Sequence, residues 1–168
     1  YTTLMVKNRI RLFLEHDLRD GNLVVLSNKQ ANYIFNVMRL KIGDELTIFN
    51  NFDGEWLSKI RERNRKGGVL FCIKKIKDRH IPKDIWLLFA PIKKTRTDFI
   101  VEKATEMGAS KILPVLTDHS NTNRISRNRL QAHAVEAAEQ CQISYVPDVL
   151  DLKTLEDVLI TWPKERKI

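Results

Sequence analysis

Phosphate binding is the chemistry written most plainly into this sequence. Lys93-Lys94-Thr95-Arg96 sets three cations within four residues, between the apolar run Ile85 to Ala90 and a helical pattern. Arg9 and Arg11 alternate with Ile10 and Leu12, so both arginines leave one face of a strand. Arg39 follows Val37 and Met38 just ahead of Lys41. Guanidinium and ammonium groups in such clusters are phosphate ligands. Arg9, Arg11, Arg39, Lys93, Lys94 and Arg96 are therefore the candidate phosphate-binding residues. Arg61, Arg63 and Arg65 also alternate and share a face of an unbroken strand. A solvated basic surface is the competing reading for any single one of these, and the clusters say more than their members.

The other reactive types are less organised. Glu102 and Glu106 have the spacing of a carboxylate pair on one helix face. An exposed face, or pairing with Lys103 or a nearby arginine, explains them better than acid–base work. His16, His80, His119 and His133 lack metal-ligand spacing, so no metal site is expected. His133 reads as a helix-surface residue. His119 lies just past a strand end, where parallel sheets bind ligands; the alternative is a solvated loop histidine. Cys72 and Cys141 read as small buried hydrophobes. Phe13, Tyr33 and Phe52 are aromatics that either stack on bases or fill the core. No catalytic residue can be named. All six glycines lie at or before Gly108, so the last third of the chain has no glycine-rich cofactor loop.

The elements carrying these residues fall into two patterns. Residues 1–80 read as short strands with one helix, the pattern of a small barrel. Ser27 to Gln30 has capping-box form and opens a helix with Ile34, Val37 and Met38 on its inner face. Asp53-Gly54 is a hairpin turn. Residues 81–168 alternate strand and helix, the pattern of a parallel sheet. Thr95 and Asp98 have capping-box spacing for a helix from Asp98 to Met107, with Ile100, Ala104 and Met107 as its apolar stripe and Gly108 as its stop. A second helix from about Arg127 to Gln142 carries Leu130, Ala134, Ala137, Ala138 and Cys141 at helical spacing. Strand Ile112 to Leu116 lies between the two helices. Val146 to Leu150 suggests a third strand, and Leu152, Leu155 and Leu159 a last helix. This order leaves a sheet edge uncovered and reads as a truncated domain.

The charge follows the same division. The 168 residues carry a net +8. The first 80 residues hold 16 Lys and Arg against 9 Asp and Glu, and the remainder 13 against 12. A basic module beside a near-neutral one points to a polyanionic partner. The longest apolar run is far too short to span a membrane, and no signal segment opens the chain, so the cytoplasm is the expected compartment.

Several segments carry a family resemblance. Glu102-Lys103-Ala104-Thr105-Glu106-Met107-Gly108, Ile112-Leu113-Pro114, Glu136 to Gln140 with Val146-Pro147-Asp148, and Val37 to Asp44 occur in order. Together they resemble the RsmE family of ribosomal RNA methyltransferases. The resemblance implies an α+β two-domain fold, a PUA-like β-barrel (1–80) followed by part of an α/β SPOUT domain of the trefoil-knot type (81–168). It implies S-adenosylmethionine as donor and N3 of one uridine in 16S rRNA of the assembled small subunit as acceptor. A homodimer is implied for the full-length enzyme. The sequence departs from the family pattern at His119, where an arginine is frequent, and lacks the segments that form the knot and donor pocket. Donor binding is thus expected beyond Ile168, and this chain is expected to be inactive by itself. A non-catalytic RNA-binding module is the alternative reading.

Overall fold

The computed structural model describes residues 10–65, 67–120, 122 and 124–167. Two compact units meet at the His80–Ile81 bond. In the first, strands β1 (Arg11–Phe13), β2 (Leu23–Val25), β3 (Glu45–Asn50), β4 (Gly54–Asn64) and β5 (Gly67–Lys77) form one sheet in the order β1-β3-β4-β5-β2. β1 runs parallel to β3, and the other neighbours are antiparallel. Leu12 of one edge strand and Val24 of the other lie in a single cluster with Leu46, Ile60 and Leu70. Since both edges feed one core, the sheet curls around it as a small open barrel.

Local chemistry sets its turns. Ser27 Oγ accepts from Gln30 N at 3.3 Å while Gln30 Oε1 accepts from Ser27 N at 2.9 Å, a complete capping box opening helix α1 (Asn28–Asn32). The helix then loosens into a π-helical turn, Tyr33–Val37. The wider turn rotates its last residues outward, so Val37 and Met38 are 59% and 38% exposed rather than on an inner face. Leu40 packs on the core in their place. At the β3–β4 hairpin Gly54 has φ +85°, and a Cβ there would stand 2.3 Å from the Lys77 carbonyl oxygen. Only glycine fits.

The second unit alternates as the pattern demands. Strands β6 (Trp86–Phe89), β7 (Lys111–Leu116) and β8 (Asp148–Val149) are parallel in that order, and the short β9 (Lys153–Thr154) runs parallel to the end of β7. Helices α2 (Lys94–Glu106) and α3 (Arg127–Gln140) pack against each other, and α4 (Leu155–Ile160) follows β9. Leu113 and Val115 share a cluster with Val158 of α4, and Trp86, Leu88 and Trp162 pack around it.

α2 corrects its sequence reading. It begins at Lys94, one turn before Asp98, and its N-cap Lys93 makes no side-chain capping bond. Its buried face is Thr97, Val101, Ala104 and Thr105, whereas Met107 is 84% exposed. The threonines serve as small apolar residues because their hydroxyls are satisfied locally. Thr105 Oγ1 donates to Val101 O at 2.9 Å, and Thr97 Oγ1 to Ile92 O at 3.2 Å. Gly108 ends the helix at φ +83°. α3 buries Leu130, Ala134, Ala137 and Ala138 as its spacing predicts. Cys141, expected to be buried, is the exposed C-cap of that helix, and Cys72 is fully buried.

Candidate nucleic-acid interface

Loops at the carboxyl ends of β6 and β7 carry the second unit's candidate groups. In the first, the Thr97 hydroxyl accepts from Ile92 N at 3.1 Å and donates to Ile92 O, closing the chain onto the first turn of α2. Lys93, Lys94 and Arg96 stand exposed on that turn, with no acidic residue in it. A helix N-terminus already carries partial positive charge, so cations there repel it unless an anion is present. A helix start and three exposed cations are the chemistry that an anion would meet there.

α3 begins the same way. Ser126 caps it by accepting from Arg129 N at 3.4 Å, and its first turn likewise has no acidic residue. Its two arginines are structural. Arg127 Nε donates to Val149 O at 2.7 Å, and Gln131 accepts from Val149 N at 2.9 Å and donates to Pro147 O at 3.0 Å. These side chains occupy the Val149 backbone groups of β8 and the Pro147 carbonyl just before it. Arg129 Nη1 donates to Asp98 Oδ2 at 3.2 Å, and its Nη2 lies 3.1 Å from Asp98 Oδ1. That contact joins the second turn of α2 to the first turn of α3. Arg124 remains exposed near the end of the connection from β7 to α3. Spacing gave no warning of Arg127 or Arg129, because each acts across elements distant in sequence.

The carboxylates do not form an acid–base pair. Glu106 accepts from Lys103 Nζ at 2.6 Å. Glu102 Oε1 lies 3.0 Å from His133 Nδ1, and His133 Nε2 lies 3.5 Å from Asp98 Oδ2. His133 is thus part of the α2–α3 seam rather than a free surface residue. His119 is exposed in a loop clasped by the Thr117 N–H donating to Ser120 Oγ at 2.8 Å. The hydrogen bond to Glu106 raises the Lys103 ammonium above its usual range. Burial, then the Glu106 charge, pushes the Cys141 thiol up, and burial raises Cys72. Neither thiol is poised as a nucleophile.

In the first unit Arg11 is corrected. Its guanidinium is 2.9 Å from Glu55, 4.6 Å over the Phe49 ring, and its side chain is only 8% exposed. It neutralises a buried carboxylate and cannot reach a phosphate. Arg9 lies outside the described residues. Arg39 is exposed, with φ +57°. The arginine row on β4 is broken by a bulge between Ile60 and Glu62, which flips the alternation. Arg63 turns its guanidinium 4.9 Å over Phe35. Of the aromatics, Phe52 is 77% exposed at the hairpin tip, while Phe13 packs edge-on against Phe49 and Tyr33 packs against the core.

A family model for RNA methyltransferase domains matches residues 79–168, and one for RNA methyltransferase PUA domains matches residues 26–70. The ribosomal RNA small subunit methyltransferase E of Buchnera aphidicola from Acyrthosiphon pisum is 30% identical over 158 residues, which cover 89% of this chain and 62% of that protein. The Rickettsia conorii protein of the same name is 27% identical over 150 residues, with the same two coverages, 89% and 62%. A solved ribosomal RNA small subunit methyltransferase E from Neisseria gonorrhoeae, bound to S-adenosyl methionine, superposes with a TM-score of 0.84 at 23% identity, covering 94% of this chain and 67% of that one. A Legionella pneumophila protein solved with bound SAM gives 0.85 at 20% identity, covering 95% and 69%. At these identities the solved structures establish the fold, a PUA-like barrel followed by a SPOUT-type α/β unit. The chain spans 62% of the length of these curated relatives.

Proposed function

The chain belongs to the RNA methyltransferase domain family, matched over residues 79–168, and from that membership we propose that it serves S-adenosylmethionine-dependent methylation of uridine N3 in 16S rRNA. The acceptor is the assembled small subunit, the full-length enzyme is a cytoplasmic homodimer, and residues 1–80 are the RNA-binding barrel. Family membership carries this reading. The basic first unit and the cationic first turn of α2 support it, with Arg39, Lys93, Lys94 and Arg96 as phosphate ligands. Among the described residues no helix is long and apolar enough to cross a membrane.

The described residues do not fit the donor. The α2 turn is cationic and would repel a sulfonium, and no glycine follows Gly108 to let backbone approach a nucleoside closely. No step of methyl transfer is therefore assigned to them. Their work is to hold the phosphates beside the reacting uridine, so that transfer occurs within a fixed complex rather than by chance encounter.

Small subunits lacking the modification, incubated with methyl-labelled donor and the protein that contains these residues, test the reading. Label on uridine N3 of 16S rRNA is expected. Label on protein, on DNA or on another base would overturn it, and RNA binding without label would favour the non-catalytic module.

A further inference from the structure

Strand β2 forms one edge of the first unit's sheet, bonded to β5 on one side and, among the described residues, to no strand on the other. Val24 and Leu26 point into the barrel core with Leu70. Leu23 and Val25 lie on the outer face, 49% and 62% exposed, where an antiparallel sheet ordinarily carries polar groups. In register they stand opposite Phe71 and Val69 of β5, both half-buried. Apolar side chains therefore continue from β5 out to the edge. The backbone of that edge is open as well. Cys72 N donates to Asn22 O at 2.9 Å and Leu26 N to Gly68 O at 2.9 Å. Antiparallel pairing alternates inward and outward groups along a strand, so Asn22, Val24 and Leu26 turn theirs to β5. The N–H and C=O of Leu23 and Val25 point away from the sheet, and no hydrogen bond among the described residues uses them. Native edges are ordinarily shielded by charge or proline, and the run from Asn22 to Leu26 has neither.

The complement of this edge is the same edge on a second copy. Turned about a two-fold axis at Val24, the two strands run antiparallel. Leu23 then stands opposite the partner's Val25, and Val25 opposite the partner's Leu23. All of these residues have outward backbone groups, so each opposite pair exchanges both of its N–H···O bonds. Their side chains share one face. Across the joined sheet the row reads Lys59, Phe71, Leu23, then the partner's Val25, the partner's Val69 and the partner's Glu62. The apolar stretch is closed by a cation at one end and a carboxylate at the other. The strand ends match in charge too. Ahead of β2 the chain carries exposed Asp17 and Asp20 against Arg19, a net negative end. Behind it Lys29 lies in a helix whose first turn has no acidic residue, a net positive end. The two-fold sets each end against its opposite. An unrelated extended peptide would meet the free backbone groups without these matched ends.

We propose that β2 is a self-association edge, through which two copies of this chain join their five-stranded sheets into one continuous sheet. The contact is isologous, so each copy uses its only β2 edge and the assembly closes at two instead of growing into a fibre. It belongs to the first unit alone and does not depend on the RNA reading above. β2 is three residues long, so the pairing is weak and governed by concentration.

Sedimentation velocity of the 168-residue chain from micromolar to millimolar concentration should show a monomer–dimer equilibrium. Over the same range, hydrogen exchange at the Leu23 and Val25 amides should slow, by about tenfold when about nine molecules in ten are paired. Val25→Pro deletes one outward N–H and leaves the bonds to β5 in place, as proline on an edge strand does. Leu23→Lys sets a cation in the apolar row. Each should weaken association roughly tenfold or more. Phe99→Lys, which alters an exposed aromatic residue of α2 in the second unit, should leave it unchanged. Thermal melts should show the variants folded. If Val25→Pro unfolds the barrel, Leu23→Lys and the exchange rates of the parent decide. A monomer at every concentration would overturn the proposal. So would association with concentration-independent exchange at Leu23 and Val25. Association that Phe99→Lys abolishes and Leu23→Lys leaves intact would put the contact in the second unit and also overturn it.

Discussion

Replacing Asp98 by alanine should release the second turn of α2 from the first turn of α3. Three nitrogens converge on this carboxylate: Arg129 Nη1 at 3.2 Å, Arg129 Nη2 at 3.1 Å and His133 Nε2 at 3.5 Å. The Asp98 side chain is 15% exposed and those of Arg129 and His133 are each 27% exposed. Removing one partner of a fully buried ion pair costs about 3–5 kcal/mol. Arg129 keeps about a quarter of its surface in water and regains part of its hydration, which lowers the expected loss to about 2–3 kcal/mol. In a unit of this size that corresponds to roughly 10–20 °C in Tm. Asp98→Asn keeps an acceptor oxygen for Arg129 and should cost about half as much. Scanning calorimetry would read the loss, and hydrogen exchange at the Val101 and Leu130 amides would place it in the second unit. A double-mutant cycle with Arg129→Met would isolate the pair. A cost for Asp98→Ala within about 0.5 kcal/mol, as for an ordinary surface change, would refute the assigned role of this contact.

Arg11→Ala should destabilise the first unit by about 3 kcal/mol by leaving Glu55 without the guanidinium 2.9 Å away. Its salt slope for RNA should stay at the parental value; a lower slope would restore Arg11 as a phosphate ligand. Changing Lys93, Lys94 and Arg96 together to glutamine should lower that slope by about 2–3 with little change in Tm, since all three are exposed. Gln131→Ala removes two hydrogen bonds, to Val149 of β8 and to Pro147 just before it, and should cost about 1–3 kcal/mol, with faster hydrogen exchange at Val149 as the local readout. The raised Cys141 thiol should alkylate slowly at neutral pH and faster as pH rises. Glu106→Gln, by removing the negative charge beside it, should lower that pKa and speed the reaction; an unchanged rate would mean the contact is not populated.

What the sequence determines here is whatever closes within about one turn of chain. The Ser27–Gln30 capping box, the glycine that Asp53-Gly54 needs at its turn, the Gly108 stop and the Leu130–Ala134–Ala137–Ala138 stripe each depend on neighbours a few residues apart. Local hydrogen bonds and a fixed period therefore specify them. The alternating strands and helices of the second half, and the basic excess of the first, are legible for the same reason. Tertiary structure decided the chemistry of individual side chains. Arg11 alternates like a surface arginine, but it is spent on Glu55, 44 residues away, and only packing brings the two together. Asp98 has capping spacing and instead holds Arg129, 31 residues on. A bulge in β4 turns Arg63 away from its row, and a π-helical turn exposes Val37 and Met38 on a face their spacing would have buried. In the last two cases one extra residue shifts the phase of a repeat, and whether that extra residue is accommodated depends on the partner strand or the core beneath it. Composition and spacing within the segment do not carry that information.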